Sequence, residues 1–146
     1  MKKAGKLVTG LLGLAMAAVT VMPAMAAMPA YVYDFKIWLP PDMEWNSAGR
    51  VTHDSNYNGA KARCETVYPD DGGHDTYTTI RYRLTGSHAE LISKDSYVKI
   101  TEGAGFVATE IKQGYNNLGF VGFEFQGNTK YSADAYVSYN GNAYVP

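Results

Sequence analysis

Cys64 is the only cysteine in 146 residues. A lone cysteine cannot close an internal disulfide, so the chain has no covalent framework of its own. Charge is also scarce: 18% of residues are charged, and 13 basic side chains nearly balance 14 acidic ones. That excludes the basic stripe with which proteins hold nucleic acid and the charged heptads of a coiled coil. Metal-ligand spacings are missing too, with no HExxH, no Cys-x-x-Cys and no EF-hand pattern. A GxSxG elbow fails because Trp45 stands where the first glycine of a motif around Ser47 should be. There is no internal repeat and no low-complexity tract.

The N-terminus carries the clearest signal. Lys2, Lys3 and Lys6 precede a charge-free stretch from Leu7 to Val21, and Ala24-Met25-Ala26 follows with small residues. This predicts a helical, cleaved export signal over residues 1–26, followed by a single domain over 27–146. The apolar stretch is shorter than the roughly 20 residues of a membrane span and contains Gly10 and Gly13. No integral span is expected once it is removed. The expected location is outside the cell, free or associated with the envelope. Removing three of the 13 Lys and Arg while keeping all 14 Asp and Glu takes the formal charge from −1 to −4. That disfavours binding to nucleic acid or to an anionic membrane.

What remains is rich in rings: all 12 Tyr, 5 Phe and 2 Trp lie after Ala26. Alternation with period two dominates. It runs through Tyr31–Leu39, Ala60–Tyr68, Ile80–Leu84, Tyr97–Thr101, Val121–Phe125 and Tyr131–Tyr139, usually apolar on one side and charged on the other. Such faces belong to antiparallel sheets wetted on one surface. Turn dipeptides such as Asn58-Gly59, Thr85-Gly86, Glu102-Gly103 and Asn140-Gly141 separate or close these segments. The expectation is an all-β fold, a small antiparallel β-sandwich or open barrel of about seven strands. At most one or two short helical turns are expected, the two places that could hold one being Ser87–Glu90 with its capping-box spacing and the stretch after Asp42. Asp42–Tyr57 reads as the main irregular loop. An outer-membrane barrel is disfavoured, because about 120 residues is tight for eight spanning strands and the outward positions are charged and would face lipid.

Candidate chemistry is sparse. Cys64 alternates with Ala62 and Thr66 on an inward face, which reads as packing; an intermolecular disulfide or a thiolate nucleophile are the alternatives. His53, His74 and His88 read as residues of solvated turns. Asp70, Asp71 and Asp75 cluster in a Gly-rich turn that is a weak candidate cation loop, and no metal is otherwise expected. Gly103–Ala108 fits a loose GxGxxA pattern, but no helix long enough to receive a phosphate follows it. No cofactor is expected. Trp38 shares a polar face with Asp34 and Lys36, Tyr136 lies with Asp134 and Ser138, and Trp45 lies in the long loop. These three rings are the candidate ligand or partner surface.

The N-terminal aromatic strand, Ile92-Ser93 with Val98 before a Gly-rich turn, a late Asn-Asn pair and the closing Val137-Ser138-Tyr139 strand resemble a family of small secreted β-rich proteins of Gram-positive bacteria, of unknown function. The resemblance spans about two-thirds of the chain after the signal and implies secretion and a β-rich fold. The functional expectation is a secreted, non-catalytic domain that binds a cell-envelope polymer, such as cell-wall carbohydrate, or a protein. The alternatives are a bacteriocin-like or toxin-like secreted factor, and a small hydrolase using paired carboxylates.

Overall fold

The computed structural model describes residues 32–69, 78–127 and 130–146. The export signal expected over 1–26, His74 and the Asp70, Asp71, Asp75 loop lie outside the described residues. Eight strands follow one another: β1 (Tyr33–Leu39), β2 (Trp45–Thr52), β3 (Gly59–Pro69), β4 (Thr79–Thr85), β5 (Val98–Thr101), β6 (Val107–Glu110), β7 (Phe120–Gln126) and β8 (Ala133–Ala143). They form two four-stranded sheets, in the orders β1-β8-β3-β6 and β2-β7-β4-β5, with antiparallel neighbours throughout. The sheets do not close into a barrel.

Ring packing between the sheets makes the core. Tyr82, Phe123 and Phe125 of the second sheet are fully buried, and the two phenylalanines meet Tyr139 of the first, with the Phe123 and Tyr139 centroids 4.8 Å apart. Each buried Phe removes apolar surface worth about 1.5–3 kcal/mol from water. Both buried tyrosines keep their polar ends satisfied: Tyr82 donates to the Val107 carbonyl at 2.7 Å and Tyr139 to that of Ala48 at 3.0 Å. These two bonds link the sheets, because each donor and its acceptor belong to different ones.

Several expectations are corrected. Among the described residues there are eight strands, close to the seven or so expected, but β2 occupies most of the stretch expected as an irregular loop, and the short β6 includes the end of the Gly103–Ala108 pattern. In β2 the register with β7 shifts between Ser47 and Gly49, and Gly49 sits at φ 101. The bulge spaces the buried Ala48 and Val51 three residues apart, which hides the strand from any search for alternation. No helix occurs among the described residues. At Ser87–Glu90 the Glu90 carboxylate instead accepts the His88 backbone N–H at 2.7 Å, and Ala89 is left-handed at φ 60. After Asp42 the chain turns sharply, with Asp42 and Met43 both left-handed. Asn140-Gly141 is no turn but the middle of β8. A Cβ at Gly141 would lie 2.2 Å from the Thr52 carbonyl oxygen, so the glycine serves close approach of two backbones.

Candidate functional site

The outer surface of the first sheet gathers the exposed rings. Its central strand β8 points Asp134, Tyr136 and Ser138 outward, between β1 on one side and β3 on the other. Trp38 stands opposite Asp134 across one ladder, and Tyr68 stands opposite Asp134 across the other. In the next row Lys36, Tyr136 and Thr66 are aligned in the same way. Two interstrand spacings separate the Trp38 and Tyr68 backbones, roughly 10 Å. The rings are open: Trp38 is 50% exposed, Tyr68 57% and Tyr136 42%.

Polar contacts fix the platform. Lys36 Nζ bonds Asp134 Oδ2 at 2.8 Å and lies 5.9 Å from the Tyr136 ring centre. Tyr68 meets Tyr136 edge to face, with centroids 6.1 Å apart. Lys36, Glu65, Thr66, Tyr68, Asp134 and Tyr136 line a shallow hollow of about 520 Å³. Beside it the buried Ser138 Oγ lies 2.7 Å from Asp34 Oδ1 and 2.7 Å from Glu65 Oε1. A hydroxyl has one proton, so it serves one carboxylate at a time. Arg63 Nη2 donates to the same Glu65 oxygen at 2.7 Å.

Trp38 and Tyr136 therefore share a face, and Trp45 does not join them. Trp45 lies on β2, in the other sheet, half-buried beneath the Arg83 guanidinium at 4.3 Å from the ring centre. Tyr68 is the ring that sequence reasoning missed. The ladder between β3 and β8 shifts between Cys64 and Thr66, and past that bulge the faces exchange. Thr66, expected inward beside Cys64, turns out, Val67 turns in and Tyr68 turns out.

Cys64 is fully buried, with Sγ 3.7 Å from the Thr66 carbonyl oxygen. Burial, reinforced by the Glu102 and Glu65 carboxylates, pushes its thiol up to about 12. Such a sulfur stays protonated at neutral pH, which suits packing and opposes nucleophilic attack. His53 is 4% exposed rather than solvated, a correction that follows from β2 carrying it under the end of β8. Its Nδ1 donates to the Gly141 carbonyl at 2.5 Å, because a carbonyl can only accept. His53, Asp54, Ser55, Asn116, Asn117 and Gly119 line a second hollow of about 300 Å³. His88 is exposed in its turn, as expected. Among the described residues no three His, Cys, Asp or Glu side chains are placed to share a metal ion, and no helix is long and apolar enough to cross a membrane.

No protein-family model, curated protein or solved structure matches the chain.

Proposed function

We propose that this is an exported, non-catalytic β-domain that binds a cell-envelope glycan on the outer face of the β1-β8-β3-β6 sheet. The observation that carries the reading is the platform itself, with Trp38, Tyr68 and Tyr136 exposed around the Lys36–Asp134 ion pair. Flat rings stack on the apolar faces of sugars. A flanking carboxylate and ammonium supply an acceptor and a donor for hydroxyls. The hollow is shallow and lies across strands, which suits a chain passing over it better than a small molecule enclosed within. Export rests on the Lys2–Ala26 pattern. The protonated, buried Cys64 supports a binding role over nucleophilic catalysis.

Pull-down on insoluble envelope polysaccharide tests the reading. The wild-type protein should be retained, and the triple variant W38A/Y68A/Y136A should lose at least tenfold in affinity, since truncating a ring at a binding hot spot costs about 2 kcal/mol or more. Equal retention of the triple variant, or no retention of wild type, overturns it.

One arrangement favours a second reading. Asp34 and Glu65 each approach Ser138 Oγ on this face, which brings two carboxylates within the separation that retaining glycosidases use, about 5–5.5 Å. Release of reducing ends from the same polysaccharide by wild type, abolished in Glu65→Gln, would establish hydrolysis in place of simple binding.

A further inference from the structure

We propose that the outer edge of β1 pairs with β1 of a second copy of this chain, antiparallel about a two-fold axis at Phe35. The inference goes beyond the glycan-binding reading and does not depend on it. β1 ends the order of its sheet, so one side of its backbone has no strand beside it among the described residues. Natural edges of this kind are blunted by proline, by a bulge, by brevity or by charge, and the charges of β1, Asp34 and Lys36, are of opposite sign. β1 has seven residues, no proline, and an unbroken register with β8. Among the described residues a side chain covers its far end, where the Asn46 side-chain amide donates to the Trp38 carbonyl at 2.7 Å.

The exposed end is apolar. Tyr33 and Phe35 belong by alternation to the inward set, with Ile37 and Leu39, yet they are 40% and 42% exposed while the latter two are buried. Val32, just before the strand, is also exposed. Residues of core type thus stand at an uncovered edge.

Charge identifies the occupant. In an antiparallel pair of identical strands, a two-fold axis at Phe35 sets Asp34 opposite Lys36 of the second copy, and Lys36 opposite its Asp34. An axis at Asp34 or at Lys36 sets that charge against itself, and an axis at Tyr33 or Ile37 leaves both charges opposite apolar residues. Only the Phe35 axis neutralises both. It also faces Phe35 with Phe35 and Tyr33 with Ile37, and cross-strand ring pairs and opposite charges are the contacts that stabilise a sheet. An interface in which residue i meets j and j meets i is the isologous kind that closes as a dimer. Lys36 keeps Asp134 of its own chain within reach and would bridge the two carboxylates. The dimer would merge two four-stranded sheets into one of eight and place two ring platforms side by side, an arrangement that raises avidity for a repeating polymer.

Sedimentation equilibrium on the purified protein, with charge-reversed variants, tests the proposal. Wild type should show a reversible monomer–dimer equilibrium. Asp34→Lys sets two lysines against two lysines, and Lys36→Asp sets two aspartates against two aspartates. Each variant alone should sediment as monomer at concentrations where wild type is dimeric. Mixed in equal amounts, the two should restore a dimer, because every charge then meets its opposite. Should either variant fold poorly by circular dichroism, Phe35→Cys gives an independent measurement. The two introduced thiols would meet at the axis, within the usual Cα separation of a disulfide. Mild oxidation should therefore yield a covalent dimer from Phe35→Cys and none from Trp38→Cys, whose sulfurs would be held far apart. A monomeric wild type at all concentrations, a mixture that stays monomeric, or equal cross-linking by both cysteine variants overturns the proposal.

Discussion

The outer face of the β2-β7-β4-β5 sheet and the β1-β8 side of the other sheet use the same residue types in opposite ways. On the β2-β7-β4-β5 sheet and its margins the rings are capped by arginines: Arg83 over Trp45 at 4.3 Å, Arg81 over Tyr97 at 4.5 Å and Arg50 over Phe120 at 5.1 Å. Arg83 is further anchored by Glu124 at 2.7 Å. On the β1-β8-β3-β6 sheet the β6 margin is capped in the same way, with Arg63 and Lys61 over Phe106 at 4.9 Å and 5.1 Å, but on the β1-β8 side the lysine beside Tyr136 lies 5.9 Å away, and Trp38 and Tyr68 stay at least half exposed. A guanidinium laid flat on a ring removes it from contact with other molecules, whereas an ammonium committed to a carboxylate leaves the ring face open. The difference teaches that aromatic content alone does not mark a binding surface. What marks it is a ring that the protein has not already covered.

Both faces rest on one core, and removing its centre should collapse the distinction between them. Phe123→Ala should cost about 3–5 kcal/mol of stability, measured by denaturant unfolding, because a fully buried ring leaves a cavity among Tyr82, Phe125 and Tyr139. A cost near 1 kcal/mol would mean that the sheets are held together elsewhere. Beneath the first sheet, Cys64 offers a second probe. With its thiol pushed up from 9.0 to about 12, alkylation at pH 8 should be at least about 10³-fold slower in the folded protein than in denaturant. The sign for stability follows from the same shift. Folding favours the protonated thiol, so this contribution is complete below the unfolded value of 9.0 and is lost as pH rises toward 12. Replacing Cys64 by Ala should flatten that alkaline decline in unfolding curves, and an unchanged slope would remove Cys64 from the account.

The arginine caps set the next scale. Arg83→Ala and Trp45→Ala should each cost about 1–2 kcal/mol, with a coupling of about 0.5–1 kcal/mol between them in a double-mutant cycle. Lys36→Ala, which breaks a more exposed pair on the other face, should cost no more than about 1 kcal/mol. Equal costs at Arg83 and Lys36, or no coupling between Arg83 and Trp45, would erase the contrast between the faces.

Much of this could be read from residue order, and most of the failures share one cause. Where pairing is regular the alternation is faithful: in β1, Asp34, Lys36 and Trp38 point outward, and in β8, Asp134 and Tyr136 do the same. Trp38 and Tyr136 were visible as candidates for that reason. Each bulge adds a residue and exchanges the faces beyond it, and its position depends on the partner strand, which lies far away in sequence. The bulge near Gly49 concealed β2, and with it the placement of Trp45 and the burial of His53. The one between Cys64 and Thr66 concealed Tyr68. Gly141 misled differently. Its turn-like neighbour Asn140 suggested a hairpin, while the actual constraint is the Thr52 backbone, 89 positions earlier in the chain.

The smallest expected effect is the most diagnostic. Trp38→Ala should change stability by no more than about 0.5 kcal/mol, although it deletes the largest side chain on β1. A ring half exposed in the folded state keeps half of its surface in water, so its removal opens no closed cavity. Trp45→Ala deletes the same side chain and should cost several times more, because Arg83 and Glu124 are arranged around it. Parallel thermal and denaturant unfolding of the two variants separates the cases. If Trp38→Ala proves as destabilising as Trp45→Ala, the outer ring of β1 serves the fold. If Trp38→Ala is neutral, the pull-down proposed for this face measures its other role directly.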